Sequence, residues 1–195
     1  MSTAEIGADR RAARGTSGPI LGMVLFVASE AMFFAAFFGA YFTIKAANHV
    51  WPPRGIPTPK LGLPAVATAM LVSSSFVLQA GVRAIRRGDA KALERWLGLT
   101  ILLGVGFLVL QLRDYAHTGF SVHDGIYPSL FYVMTSLHMA HVFGGVLFLS
   151  LVLAQSRTGQ LSMVRHEPVE AGAIYWHFVD VVWIGLFTVF YLIVR

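Results

Sequence analysis

The sequence predicts an all-α membrane protein, built as a bundle of five transmembrane helices. Three observations lead there. The 195 residues are 56% hydrophobic and only 13% charged, with a mean hydropathy of +0.66, whereas a water-soluble domain carries about a quarter charged residues. Five stretches are nearly free of charge and approach the ~20 residues that a helix needs to cross a hydrocarbon core about 30 Å thick. Strand-length alternation of apolar and polar residues, the mark of a membrane barrel, is absent from the sequence.

The first span, about residues 19–45, opens at Pro19 and carries Glu30 as its only charge before Lys45. The second, about 61–86, is uncharged from Leu61 to Val82. The third, about 92–114, has the shortest uncharged core, Trp96 to Leu112, and needs flanking residues to span. The fourth, about 127–156, lies between Asp124 and Arg157 and holds His138 and His141; the fifth, about 170–194, holds His177 and Asp180. Apolar residues cover most faces of each span, as in lipid-embedded helices. Residues 19–195 thus read as one five-helix domain, preceded by a mobile segment, residues 1–18. A cleaved signal peptide would also begin with arginines, but its core is only about 7–15 residues, shorter than the first apolar run.

With no cysteine, disulfides, thiolate catalysis, iron–sulfur clusters and Cys-ligated zinc are excluded, and any metal would rest on His and carboxylates. The net charge of +5 would suggest nucleic acid in a soluble protein. Here the basic residues gather between the apolar runs, where they are topology signals, and no nucleic-acid partner is expected. On one side of five crossings lie Arg10, Arg11, Arg14, Arg83, Arg86, Arg87, Lys91, Arg95, Arg157 and Arg165; the other side has Lys45, Arg54, Lys60, Arg113 and Arg195. Ten against five places the amino terminus in the cytoplasm and the carboxyl terminus outside.

The polar residues inside the spans are the candidate functional groups. Glu30 lies about eleven residues into its helix, roughly 16 Å deep at 1.5 Å per residue. An acid near the bilayer centre must face other helices, as a proton-linked or ligand-contacting group or as a buried polar anchor. Asp180 falls at similar depth in the fifth span, with His177 three residues earlier on the same face. This pair could relay a proton, or satisfy itself and fix the packing of its helix. His138 and His141 likewise share a face, and a histidine pair invites a metal or haem ligand reading. Closed metal sites usually need three or four ligands, so interhelical hydrogen bonding to Glu30 or a backbone carbonyl is the competing reading. Between the first two spans, Trp51-Pro52-Pro53 opens a four-proline segment that cannot continue a helix and reads as a stiff external connector lying on a partner. Ser73-Ser74-Ser75 and Gly144-Gly145 are small residues that permit close helix approach. Phe33, Phe34, Phe37 and Phe38 form an aromatic surface beside Glu30 that packs on helices or lipid tails.

In order along the chain, Ser29-Glu30-Ala31-Met32-Phe33-Phe34, the Trp51-Pro52-Pro53 loop, Asp124-Gly125-Ile126-Tyr127 followed by His138-x-x-His141, and the string from Tyr175 to Trp183 resemble subunit III of the haem–copper terminal oxidases, in particular the cytochrome c oxidase type. The last string, Tyr175-Trp176-His177-Phe178-Val179-Asp180-Val181-Val182-Trp183, is the most specific. The likeness covers about residues 19–194.

The resemblance implies a non-redox accessory subunit with no catalytic residue and no metal or cofactor of its own. Haem and copper would sit in partner subunits I and II, which reduce oxygen, pump protons and receive electrons from cytochrome c. It further implies a bacterial inner (plasma) membrane location, bound phospholipid, support of proton uptake and stabilisation of the catalytic core. A small fourth subunit and a respiratory supercomplex are further candidate partners. Glu30 would be the carboxyl that reacts with hydrophobic carbodiimides, as suits a protonated acid in an apolar site. Longer members carry two additional amino-terminal helices beside a lipid-filled cleft, which the five spans do not include. Asp114 stands where a glutamate is familiar, and no role is carried onto it. Competing classes are the equivalent subunit of a quinol oxidase or nitric oxide reductase, a free-standing haem or metal enzyme using His138, His141 and His177, and a proton-linked transporter built on Glu30 and Asp180. The transporter lacks an inverted repeat to support it.

Overall fold

The computed structural model describes residues 18–53, 55–57, 59–162 and 164–194. The expected mobile segment, residues 1–18, lies outside them except for Gly18. Five helices follow one another: α1 (Gly18–Ala46), α2 (Gly62–Arg86), α3 (Ala90–Tyr115), α4 (Ile126–Arg157) and α5 (Glu167–Phe187), the last continued by a π-helical turn, Thr188–Leu192. All five are long and apolar enough to cross a membrane, and there is no strand among the described residues.

Local chemistry explains the helix ends. The short uncharged core of the third span is extended at its start because Asp89 caps α3, its carboxylate accepting from the Ala92 N–H at 2.9 Å. An N-cap of this kind satisfies a donor that the helix itself leaves free. Lys91, Glu94 and Arg95 are thereby drawn into the first turns of α3, and its 26 residues reach roughly 39 Å. Between α2 and α3 the chain reverses within three residues. Gly88 takes φ +81° there, the left-handed region that glycine enters without steric cost. The α5 helix starts at Glu167, before the expected span, with a proline in its first turn and Glu167 and Glu170 beside its positive dipole end.

The α5 helix is the axis of the bundle, packing against α1, α2 and α4, while α3 lies between α2 and α4. Trp176 and Trp183, seven residues apart on one face of α5, are completely buried. Trp176 fits because two neighbours have no side chain: a Cβ on Gly104 of α3 would lie 2.7 Å from its ring, and one on Gly145 of α4 2.9 Å. Its indole N–H donates to Ser74 Oγ of α2 at 2.8 Å. One side chain of α5 therefore meets α2, α3 and α4 together. Two turns further on, Trp183 repeats the arrangement, donating to Thr68 Oγ1 at 2.8 Å. It also stacks on His138 and meets the edge of Phe107, with ring centroids 5.0 and 4.8 Å away. By contrast α1 buries only Phe34 and Tyr41.

Candidate functional site

The polar residues within the spans are brought to helix interfaces. Glu30 of α1 meets His141 of α4, Oε2 to Nε2 at 2.9 Å, with both side chains about four-fifths buried. The other ring nitrogen of His141 lies 2.7 Å from the Leu137 carbonyl. A carbonyl only accepts, so Nδ1 carries a hydrogen. The hydrogen between Nε2 and Oε2 then resides on either partner, as carboxylic acid with neutral imidazole or as carboxylate with imidazolium. In both forms the pair has zero net charge, which suits a pair inside hydrocarbon. Phe34 lies edge-on to His141 at 5.0 Å, and Tyr175 of α5 donates to the His141 carbonyl at 2.9 Å. Helices α1, α4 and α5 thus join at this point, and interhelical hydrogen bonding to Glu30 is what the fold gives His141.

His138, three residues earlier, takes a different direction. It is fully buried between Trp183 and Phe107, and neither ring nitrogen has a hydrogen-bond partner among the described residues. The expected hydrogen bond therefore does not extend to His138, because its neighbours on that side are aromatic faces and edges. The two histidines do not converge on one ligand position.

His177 and Asp180 are not bonded to each other directly. Ser75 of α2 stands between them: its hydroxyl donates to Asp180 Oδ2 and lies 2.9 Å from His177 Nδ1. Since the single hydroxyl hydrogen goes to the carboxylate, His177 Nδ1 is the donor to Ser75 Oγ. His177 Nε2 lies 3.4 Å from Gln79 Oε1, also on α2. The intervening serine converts a pair on one helix into a tie between two. Of the serine run read only as small residues, Ser74 and Ser75 both make side-chain hydrogen bonds to α5.

A further buried acid carried no expected role. Asp114, near the end of α3, accepts from the Tyr191 hydroxyl at 2.7 Å, and Gln111 Nε2 donates to the same hydroxyl at 3.4 Å. Tyr191 belongs to the π-helical turn after α5. In sequence Asp114 follows Arg113 at a span's edge and looks like a boundary charge; its partner is 77 residues away, so no local spacing announces it. At the same end, Trp51 folds back on its own chain. Its N–H donates to the Tyr41 hydroxyl at 2.9 Å, and its ring lies 5.6 Å from Tyr41 and 5.4 Å from Tyr127, edge-on to both. Pro52 and Pro53 are half-buried beside it.

Among the described residues, no three His, Asp or Glu side chains gather into a metal-holding group. Chemically, the arrangement offers interhelical ties and one shared proton at Glu30 and His141.

Comparison with known proteins supplies the context. Residues 6–194 match the family described as cytochrome c oxidase subunit III. The cytochrome c oxidase subunit 3 of Synechocystis sp. is 41% identical over 175 residues, 89% of this chain and 75% of the relative. That of Thermostichus vulcanus is 37% identical over 177 residues, 90% and 88% of the two chains, and that of Oryctolagus cuniculus 38% over 176 residues, 87% and 67%. The order of motifs, the five apolar helices and this coverage agree: the chain belongs to the cytochrome c oxidase subunit III family and is an accessory membrane subunit of that oxidoreductase complex.

Proposed function

We propose that this chain packs against the catalytic subunit I of a proton-pumping oxidase, beside subunit II. In that arrangement it positions and stabilises the core without carrying electrons. The haem and copper centres lie in those partners, and the location is the bacterial inner membrane with the amino terminus in the cytoplasm. The observation that carries this reading is the use made of the intramembrane polar residues. Glu30 is engaged by His141, and Asp180 by Ser75, so both acids hold helices together. Structural ties of this kind suit a scaffold subunit. Glu30 is the carbodiimide-reactive carboxyl and supports proton uptake through its contacts with neighbouring helices and lipid. The loop carrying Pro52 and Pro53 lies against a partner at the outer end, with Trp51 holding it to the bundle. A small fourth subunit and a respiratory supercomplex complete the set of partners.

The test is to tag the chain in its host, purify it in mild detergent, identify the co-purifying chains and record a reduced-minus-oxidised spectrum. Haem a together with a large catalytic chain is the expected result. A b-type haem alone would move the chain to a quinol oxidase or nitric oxide reductase. An intact chain that emerges alone and colourless would overturn the subunit reading.

A further inference from the structure

A continuous line of hydrogen-bonding side chains crosses between α2 and α5 inside the membrane. Ser74 Oγ accepts from the Trp176 N–H at 2.8 Å, which fixes the neighbouring Ser75 against Asp180 and His177. Beyond His177 the line reaches Gln79, whose Oε1 lies 3.4 Å from His177 Nε2. The order is therefore Asp180, Ser75, His177, Gln79, alternating between the two helices. Asp180 is 5% exposed and stands roughly 20 Å along α5 from Glu167 at 1.5 Å per residue. Ser75, His177 and Gln79 are partly exposed. The line thus runs from a buried acid to the rim of the α2–α5 seam.

The same heavy atoms support two arrangements of hydrogens, because a hydroxyl donates and accepts at once and an imidazole nitrogen does either. In the arrangement described above, Ser75 donates to a carboxylate at Asp180 and His177 Nδ1 donates to Ser75. In the second, a carboxylic acid at Asp180 donates to Ser75, and Ser75 donates to Nδ1. The Gln79 carbonyl oxygen only accepts, so Nε2 carries a hydrogen in both. The first arrangement is then imidazolium with carboxylate and the second imidazole with acid, each of zero net charge. Asp180 Oδ1 is buried without a partner among the described residues, which favours the neutral acid, since an unpaired charged oxygen costs more than an unpaired neutral one. The other titratable groups on helices packed against α5 are committed elsewhere. Glu30 of α1 meets His141 of α4, His138 lies on the Trp183 ring, and the Tyr41 and Tyr127 hydroxyls donate to backbone carbonyls. Lys45, Arg83, Arg86 and Arg157 stand in the last turns of their helices.

We propose that Asp180, Ser75 and His177 form a proton relay, with the Asp180 carboxyl as its buried store and His177 as the end that exchanges protons at the rim of the seam. In one outward passage the Asp180 O–H bond breaks as a new Ser75 O–H bond forms. The original Ser75 O–H bond breaks as an Nδ1–H bond forms, and Nε2 releases its proton to water at the rim. One proton leaves, and the carboxylate remains hydrogen-bonded to Ser75; the reverse passage refills the store. This use is additional to holding α2 against α5. It concerns groups within this chain alone and stands whether or not the assignment of partner subunits holds.

The experiment follows the carboxylic-acid C=O infrared band of Asp180 in the purified complex containing this chain, assigned by its absence in Asp180→Asn, after a rapid upward step in pH. The wild-type band is expected to decay as the proton leaves. Ser75→Ala removes the bridging hydroxyl and should slow the decay roughly a hundredfold, the lower range of what one positioned proton-transfer group contributes. Ser75→Thr keeps the hydroxyl and should restore the rate, whereas His177→Gln keeps hydrogen-bonding capacity but cannot pass a proton and should slow it as Ser75→Ala does. A purely structural serine predicts the opposite, because loosening the seam admits water to Asp180 and speeds the decay. The threonine and glutamine variants decide the matter if the alanine variant fails to assemble. Equal rates in all variants would overturn the relay. So would a wild-type band that is absent or does not respond to pH, which would leave Asp180 a fixed tie. Either of these results leaves the subunit reading intact, since that rests on the co-purifying chains.

Discussion

The Glu30–His141 contact allows a quantitative test of what the membrane acid does. It is one hydrogen bond of 2.9 Å between side chains that are mostly but not wholly buried. Side-chain hydrogen bonds within membranes average about 0.6 kcal/mol and reach about 1.7 kcal/mol. A double-mutant cycle of Glu30→Ala and His141→Ala should therefore give a coupling in that range, or about three- to eighteenfold in an equilibrium constant. Glu30→Gln should cost less than Glu30→Ala, because the glutamine amide offers both a donor and an acceptor to Nε2. The assay is the fraction of this chain retained in the purified complex along a denaturing-detergent series, with oxygen consumption recorded on the same samples. Glu30→Gln should remain assembled with near-normal initial turnover. Complete loss of turnover in an intact Glu30→Gln complex would refute the reasoning, since a positioning residue replaced by its isostere cannot stop the chemistry elsewhere.

Further outcomes follow from the other contacts. Gly145→Ala drives a methyl into the buried Trp176 ring, 2.9 Å away, and should destabilise the chain by about 1–3 kcal/mol. The adjacent Gly144→Ala meets only Tyr175 Oη at 3.7 Å and should stay within about 0.5 kcal/mol; equal melting shifts for the two would contradict the packing described. Asp180→Leu deletes the acceptor of Ser75 and should reduce the yield of assembled complex, whereas Asp180→Asn keeps an acceptor and should largely restore it; full yield of the leucine variant would count against an anchoring role. Trp51→Phe removes the donor to the Tyr41 hydroxyl and should cost about 0.5–1.5 kcal/mol, read as a lower melting temperature with helix content unchanged.

What the sequence disclosed depended on how local the signal was. The five helices were legible because a charge-free run long enough to span is a property of consecutive residues. Glu30, His141, His177 and Asp180 stood out because ionisable groups are costly in hydrocarbon. Their partners were less legible. Ser75 lies 105 residues from Asp180 and looked like one more small residue in a triplet. Tyr191 lies in an aromatic, apolar tail where nothing indicates that its hydroxyl serves Asp114. The shared face of His138 and His141 was real as helical geometry but misleading as chemistry, since three residues of rotation suffice to point one ring at α1 and the other into Trp183 and Phe107. Gly104 was not singled out because its use depends on an indole from another helix.

Burial and tying are divided unequally among the helices, and this gives the acid on α1 its physical meaning. In water an apolar helix is held to its neighbours by the hydrophobic effect, but lipid tails are as apolar as leucine and supply no such drive between helices. The α2–α5 core meets this condition by close packing, with Trp176 seated against Gly104 and Gly145 and Trp183 against His138. The α1 helix has only one such socket, Phe38 against Gly185 of α5, where a Cβ would lie 3.0 Å from the ring; it buries two residues, and Leu25 and Met32 are 64% and 69% exposed. Its other fixed points are Glu30 on His141, Phe34 against His141 and Phe178, and Tyr41 against Trp51 and Phe190. Two of these three involve His141 and sit within four residues of each other. A leucine at position 30 would remove the desolvation cost of an acid, but it would also leave α1 with ring contacts and one long hydrogen bond, from the Tyr41 hydroxyl to the Val189 carbonyl at 3.4 Å, to set its rotation and depth. The carboxyl is therefore placed on the helix that burial holds least, and its energetic cost is the counterpart of a defined orientation for the most exposed helix of the bundle.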